Sequence, residues 1–194
     1  MKKIIALILV AVMLTALASC AKNPDNESSS SSSSTSATTE STETTTANNP
    51  VTPPEKKELA DIINATYEKH PISIGVSTEQ LDPTEMDADT IKYLASVTSV
   101  DKISEFCVSG PLMAPPAYEM VVVRVKNASD AEAVAKEMLE NSDPGKWICV
   151  SAEAVRIGVC GDTIMMVMSS AEEAGALISA FGEVCGGLTL TLEK

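Results

Sequence analysis

The spacing of apolar positions divides the chain into three unlike stretches. Ile4 to Leu17 is apolar throughout except for Thr15, and it runs into Ala18-Ser19-Cys20. Residues 21–54 show no apolar periodicity: 4 of 34 positions are apolar and 17 are Ser or Thr, including an unbroken run from Ser28 to Ser34. Residues 55–194 alternate between the periods of amphipathic helices and of strands, and 66 of these 140 residues are apolar. Only this last stretch is able to bury a core, and it has the size of one ordinary domain.

Within that domain, Leu59, Ile62, Ile63 and Tyr67 repeat at helical spacing, which predicts a helix from Glu55 to Lys69 stopped by Pro71. A shorter helix is expected from Asp87 to Ala95, with Ile91 and Leu94 inward. Ile103 to Ser109 reads as a strand, followed by the irregular Gly110-Pro111-Leu112-Met113-Ala114-Pro115-Pro116. Tyr118 to Lys126 is a second strand, since Val121-Val122-Val123 is β-branched throughout. Ser129-Asp130-Ala131-Glu132 has the form of a capping box opening a helix with Val134, Met138 and Leu139 inward. Val155 to Val159 and Ile164 to Met168 flank Cys160-Gly161-Asp162-Thr163, a hairpin signal. Ser170-Ala171-Glu172-Glu173 repeats the capping box, and Leu177, Ile178, Phe181 and Val184 form the inward stripe. Gly186-Gly187 ends that helix, and Leu188 to Leu192 adds a last strand.

The order is α-ββα-ββα, with a weak internal repeat of strand, strand and capped helix about 40 residues apart. Hairpins join locally, so the expected fold is α+β, an antiparallel sheet with its helices packed on one face.

The N-terminal stretch changes the picture of where such a domain works. Lys2 and Lys3 precede an apolar run of 14 residues. That is short of the roughly 20 a spanning helix needs and fits the core of a secretory signal. Leu17-Ala18-Ser19-Cys20 resembles a bacterial lipobox, which implies residues 1–19 as signal peptide and a diacylglycerol thioether on Cys20, often with a further acyl chain on the new amine. Two or three acyl chains give stable anchoring where one is marginal. The alternative is a secreted protein cleaved at an A-x-A-like site. Residues 20–54 would then be the lipidated Cys and a Ser/Thr-rich tether too polar to repay the entropy of ordering, stiffened at its end by Pro50, Pro53 and Pro54.

Cys20 with its short signal, the Ser/Thr tether, the strand Tyr118 to Lys126, the helix start Asp130-Ala131-Glu132-Ala133-Val134 and the strand–helix from Gly161 to Phe181 together resemble an uncharacterised lipoprotein family. That family carries a domain of unknown function and is frequent in Gram-positive gut anaerobes. The resemblance spans about residues 55–185. It implies an address on the extracytoplasmic face of the cell membrane and no activity, and Cys20 is the sole residue whose role it supplies.

Charge and composition then narrow the chemistry. The chain has 14 Lys and Arg against 27 Asp and Glu, a net −13. This excludes a nucleic-acid partner, which requires clustered cations. A single histidine, His70, excludes His-based triads and multi-His metal sites. His70 ends a helix, where a cation suits the dipole. Cys107, Cys149, Cys160 and Cys185 lie in no C-x-x-C. An exported domain permits disulfides among them in three full connectivities, but Cys107 and Cys160 lie in or beside apolar strands and Cys185 closes a helix face, which suits small buried residues. Met165, Met166 and Met168, with Met113, Met120 and Met138, read as core filler before copper ligands. Glu79, Asp82, Glu85, Asp87 and Asp89 lack the spacing of a calcium loop. No cofactor or metal pattern is present, and no pair is singled out among the domain's 23 carboxylates.

The candidate binding surface is the connection from Gly110 to Ala117, where Leu112, Met113 and Tyr118 are expected to project as an apolar patch on a proline-stiffened loop. The expected function is non-catalytic binding or interaction at the cell envelope, with the membrane engaged through Cys20. Small-solute capture and carboxylate-based hydrolysis are the alternatives.

Overall fold

A computed structural model describes residues 56–194. The expected signal peptide, Cys20 and the expected tether lie outside the described residues. Among the described residues no helix is long and apolar enough to cross a membrane.

Among the described residues, four α-helices and six strands follow one another as α1 Leu59–Lys69, β1 Val76–Leu81, α2 Ala88–Ala95, β2 Ile103–Pro111, β3 Glu119–Val125, α3 Ala131–Asn141, β4 Ala154–Cys160, β5 Thr163–Ser169, α4 Ala171–Cys185 and β6 Leu190–Glu193. The strands form one sheet in the order β1-β2-β3-β5-β4-β6, and every pairing is antiparallel. The α+β class and the antiparallel sheet are as expected from the sequence.

The helices do not share one face. Along β3, Met120 and Val122 point into a core shared with Leu59, Ile62 and Ile63 of α1 and Leu177, Ile178 and Phe181 of α4. Val121, Val123 and Val125 point the other way, into a core with Ile91 and Ala95 of α2 and Val134, Ala135 and Met138 of α3. The same alternation runs along β5, where Met165 and Val167 face α1 and α4 while Ile164, Met166 and Met168 face α2 and α3. All seven residues of β3 and of β5 are buried. A strand covered on both faces reads as a continuous apolar run and not as an alternation, which is what Val121-Val122-Val123 and Ile164 to Met168 are. The sheet is therefore the middle of three layers. The two ββα units send α3 and α4 to opposite faces, so the repeat in the sequence is not a repeat in packing.

Local signals set most of the ends. Asp87 caps α2 by accepting the Thr90 N–H at 2.9 Å. Ser170 caps α4 by accepting the Glu173 N–H at 3.2 Å, and Gly186 closes that helix in the left-handed region. The box expected at Ser129 does not form: a 3-10 turn occupies Ala128–Asp130, and no side chain caps α3. Gly161, with φ 61°, makes the two-residue turn between β4 and β5, a backbone conformation that favours glycine. β1 has no strand signal of its own, because an edge strand with Ser77, Thr78, Glu79 and Gln80 offers little apolar alternation.

Candidate functional site

The antiparallel central strands have two poles. At one, β3 ends and β5 begins, and the chain there is tightly paired. Arg124, 4% exposed, binds Glu105 through Nη1, donates from Nη2 to the Lys57 carbonyl at 2.7 Å and lies 3.9 Å from Asp162. Lys56 reaches the same Asp162 at 2.9 Å, and the Thr163 hydroxyl donates to it at 2.9 Å. Burial opposes the charge on Asp162, but the hydrogen bonds from Lys56 and Thr163 and the charges of Lys56 and Arg124 outweigh it and hold the carboxyl below its usual range. Lys56 and Lys57, the first described residues, are thus fixed at this hairpin pole.

The other pole is open. A cavity of about 490 Å³ lies between the β2–β3 connection, the α3–β4 loop and the first turn of α4. Pro115, Pro116, Ala117 and Tyr118 form one wall, Val150, Ser151, Ala152 and Glu153 a second, and Ser169, Ser170 and Glu173 the floor, with Ile72 to Ile74 completing it. The second wall is held by Lys146, whose ammonium pairs with Glu119 at 2.8 Å in a nearly solvent-free contact and stands 4.5 Å from the centre of the Tyr93 ring. Burial pushes the Glu119 carboxyl up from its usual value, and Lys146 offsets this only in part. Among the described residues this is the carboxyl raised by its surroundings, and it is bound to Lys146 outside the cavity lining.

Two carboxylates line the cavity and no Lys or Arg does. Glu153 accepts the Ala171 N–H at 3.3 Å, occupying the start of α4. Glu173 is different. Its Oε1 is out of contact with solvent and has no hydrogen-bond partner. His70 Nε2 stands 3.6 Å away, beyond hydrogen-bonding reach. The Tyr118 hydroxyl shares a 2.8 Å hydrogen bond with that of Tyr67, which donates in turn to Ser109 at 2.8 Å. Burial raises both phenols above their usual range, so they serve as neutral hydrogen-bonding groups.

The three residues of the expected surface separate. Leu112 and Met113 do project, 66% and 81% exposed. Tyr118 does not: at 2% exposure it belongs to the core beneath α1 and α4, held there by the bond to Tyr67. The phenol contributes to the cavity and not to an apolar patch. Of the six methionines considered, Met120, Met138, Met165, Met166 and Met168 are fully buried core residues, and Met113 is exposed. Among the described residues no cluster of three His, Cys, Asp or Glu is placed to hold a metal. The four domain cysteines are free thiols: Cys107 is buried, Cys149 exposed, and Cys160 and Cys185 half-buried. Burial, then the charges of Glu105 and Glu79, push the Cys107 thiol up to about 11, far from a reactive thiolate. His70 stands at the C-terminal end of α1, its backbone N–H bonded to the Thr66 carbonyl.

Sequence reasoning missed Glu153 and Glu173. Glu173 is the fourth residue of the second capping box, which assigns its carboxylate to the helix end. Ser170 makes its half of that box, whereas Glu173 Oε1 is left without a partner beside the cavity.

Fold and site together define a three-layer α+β domain with a buried ion-pair network at one pole and the Tyr118 cavity at the other. No family model, no curated protein and no solved structure matches the chain.

Proposed function

We propose that this protein is a lipoprotein of the family its sequence resembles, anchored through acyl chains on Cys20 to the extracytoplasmic face of the cell membrane, and that its domain is a non-catalytic binding module. The observation that carries the binding reading is the cavity of about 490 Å³ beside Tyr118, a size typical of small-molecule sites. Its chemistry favours a small cationic solute with an apolar body. Glu153 and Glu173 supply negative charge without any lining Lys or Arg, the Glu173 Oε1 lacks a partner, and Ile72, Ile74, Pro115, Pro116 and Val150 supply apolar wall. The position of the cavity suits an anchored protein. Lys56 and Lys57, next to the tether, sit at the hairpin pole, and the cavity opens at the pole about 20 Å away along the strands.

Thermal stabilisation of the mature protein by butylamine and agmatine, set against butanol and butyrate, tests the binding reading. Stabilisation by the amines alone, lost in Glu173→Gln, is expected. Equal response to all four solutes, or none, refutes it, and turnover of an amine-bearing substrate would replace it with the hydrolytic alternative. The anchor is tested separately: the wild type should partition into detergent and take up an alkyne-labelled fatty acid, and Cys20→Ala should do neither. A Cys20→Ala protein that remains acylated contradicts the anchor.

A further inference from the structure

β4 ends at Cys160 and α4 ends at Cys185, and the fold brings these two ends together at the hairpin pole. The Cys160 thiol donates to the Cys185 carbonyl at 3.4 Å, and the Cys185 thiol lies 3.8 Å and 3.9 Å from the Gly182 and Gly187 carbonyls. The contact is framed by backbone on both sides. After Cys185 the chain turns through Gly186 and Gly187, whose φ angles are 85° and 129°, and the Thr189 N–H returns to the Val159 carbonyl at 2.8 Å. Leu188 packs over Gly158 and Gly182, leaving so little room that a Cβ on either glycine would lie within 3.2 Å of it. The thiols are therefore held together by the packing of α4 on β4. Both are half-buried, which leaves them within reach of a small oxidant. Cys107 is sealed in the core with α1, and Cys149 stands exposed on the loop between α3 and β4.

We propose that Cys160 and Cys185 are a disulfide-forming site, oxidised by an organic disulfide, either a small molecule such as glutathione disulfide or the active-site disulfide of an oxidoreductase. Cys160 thiolate attacks one sulfur of the organic disulfide, forming a mixed disulfide and releasing one thiolate. Cys185, having given its proton to solvent, then attacks the Cys160 sulfur and expels the second thiolate. Two electrons pass from the two cysteines to the organic disulfide, which leaves as two thiols carrying the two protons. The order follows from the Cys185 thiol, which burial, then the hydrogen bond and charge of Cys160, push up to about 12. The bond would staple the end of α4 to the β4–β5 hairpin. The inference stands on this geometry and is independent of the anchor and of the cavity's ligand.

The test is native oxidation of the mature chain, carrying Cys149→Ser to prevent cross-linking between molecules, in a glutathione redox buffer. Digestion without reductant should yield a linked pair of peptides containing Cys160 and Cys185, with the intact mass lower by about 2 Da. The oxidised protein should melt about 5–10 °C higher than the reduced protein. In Cys185→Ser, Cys160 should stop at the glutathione adduct. If Cys160 and Cys185 both remain open to alkylation after native oxidation, or become linked only after denaturation, the proposal is wrong. That result is readable on the parent chain even if Cys185→Ser fails to fold.

Discussion

Arg124 and Glu173 stand at opposite ends of the central strands, and they differ in what they face. Arg124 is buried against Glu105, Asp162 and the Lys57 carbonyl. Glu173 has an oxygen shut off from solvent with no hydrogen-bond partner, beside a cavity whose lining holds no Lys or Arg. The same contrast extends to the connections. A two-residue turn closes the hairpin pole, while long loops with Leu112, Met113 and the 91% exposed Ile148 surround the cavity. Each charged residue keeps one buried atom without a hydrogen bond, Arg124 Nε and Glu173 Oε1, but Arg124 is closed in by carboxylates and a carbonyl, so removing it is costly, whereas Glu173 borders a cavity from which a ligand supplies a partner. One pole surrounds its buried cation with ion-paired and hydrogen-bonded groups. The other places an unpartnered carboxylate oxygen beside a cavity.

The sharpest way to break this comparison is Arg124→Ala. It leaves two carboxylates without their buried cation and should cost about 3–5 kcal/mol in a denaturant melt, while Glu173→Gln should stay within about 0.5 kcal/mol. Equal losses would erase the distinction between the poles. Met166→Ala, midway between them in the core that faces α2 and α3, should cost about 2–5 kcal/mol. An unchanged melting temperature there would contradict the placement of the methionines. Tyr118→Phe removes a hydroxyl from the Tyr67–Ser109 chain and should cost about 1 kcal/mol.

Acid should act through the hairpin pole. The Asp162 carboxyl is held below its usual value in the folded protein. Its stabilising contribution is therefore present above the unfolded pKa and is lost as pH falls through the lower, folded one. Melting curves between about pH 2 and pH 5 should show Asp162→Asn losing less stability on acidification than the wild type. A parallel fall in both would remove Asp162 from the account. The smallest effect belongs to Leu112→Ser, expected to move stability by less than about 0.5 kcal/mol. A large loss would mean that this side chain, which approaches Gly75, is part of the packing and not of an exposed rim.

Most elements were legible because local chemistry decides them. Asp87, Ser170, Gly161 and the Gly186-Gly187 pair each do in the structure what their residue type favours. What failed depends on tertiary neighbours. The polar strand Val76–Leu81 exists because β2 offers it an open edge. Ser129 is set aside by a 3-10 turn. The placement of helices on two faces was written in the unbroken apolar runs of β3 and β5, which fit double cover better than single. The cavity was not legible. Glu153 and Glu173 are two among the domain's 23 carboxylates, and only the meeting of three loops with the start of α4 distinguishes them.

Hydrogen exchange on the mature protein with and without agmatine tests the contrast between the poles most directly. Slower exchange is predicted in residues 112–118, 150–153 and 169–174, with no change in residues 56–58, 124–126 and 160–163. Protection confined to the hairpin segments, or exchange unaltered at the cavity with agmatine present in excess, would contradict the account.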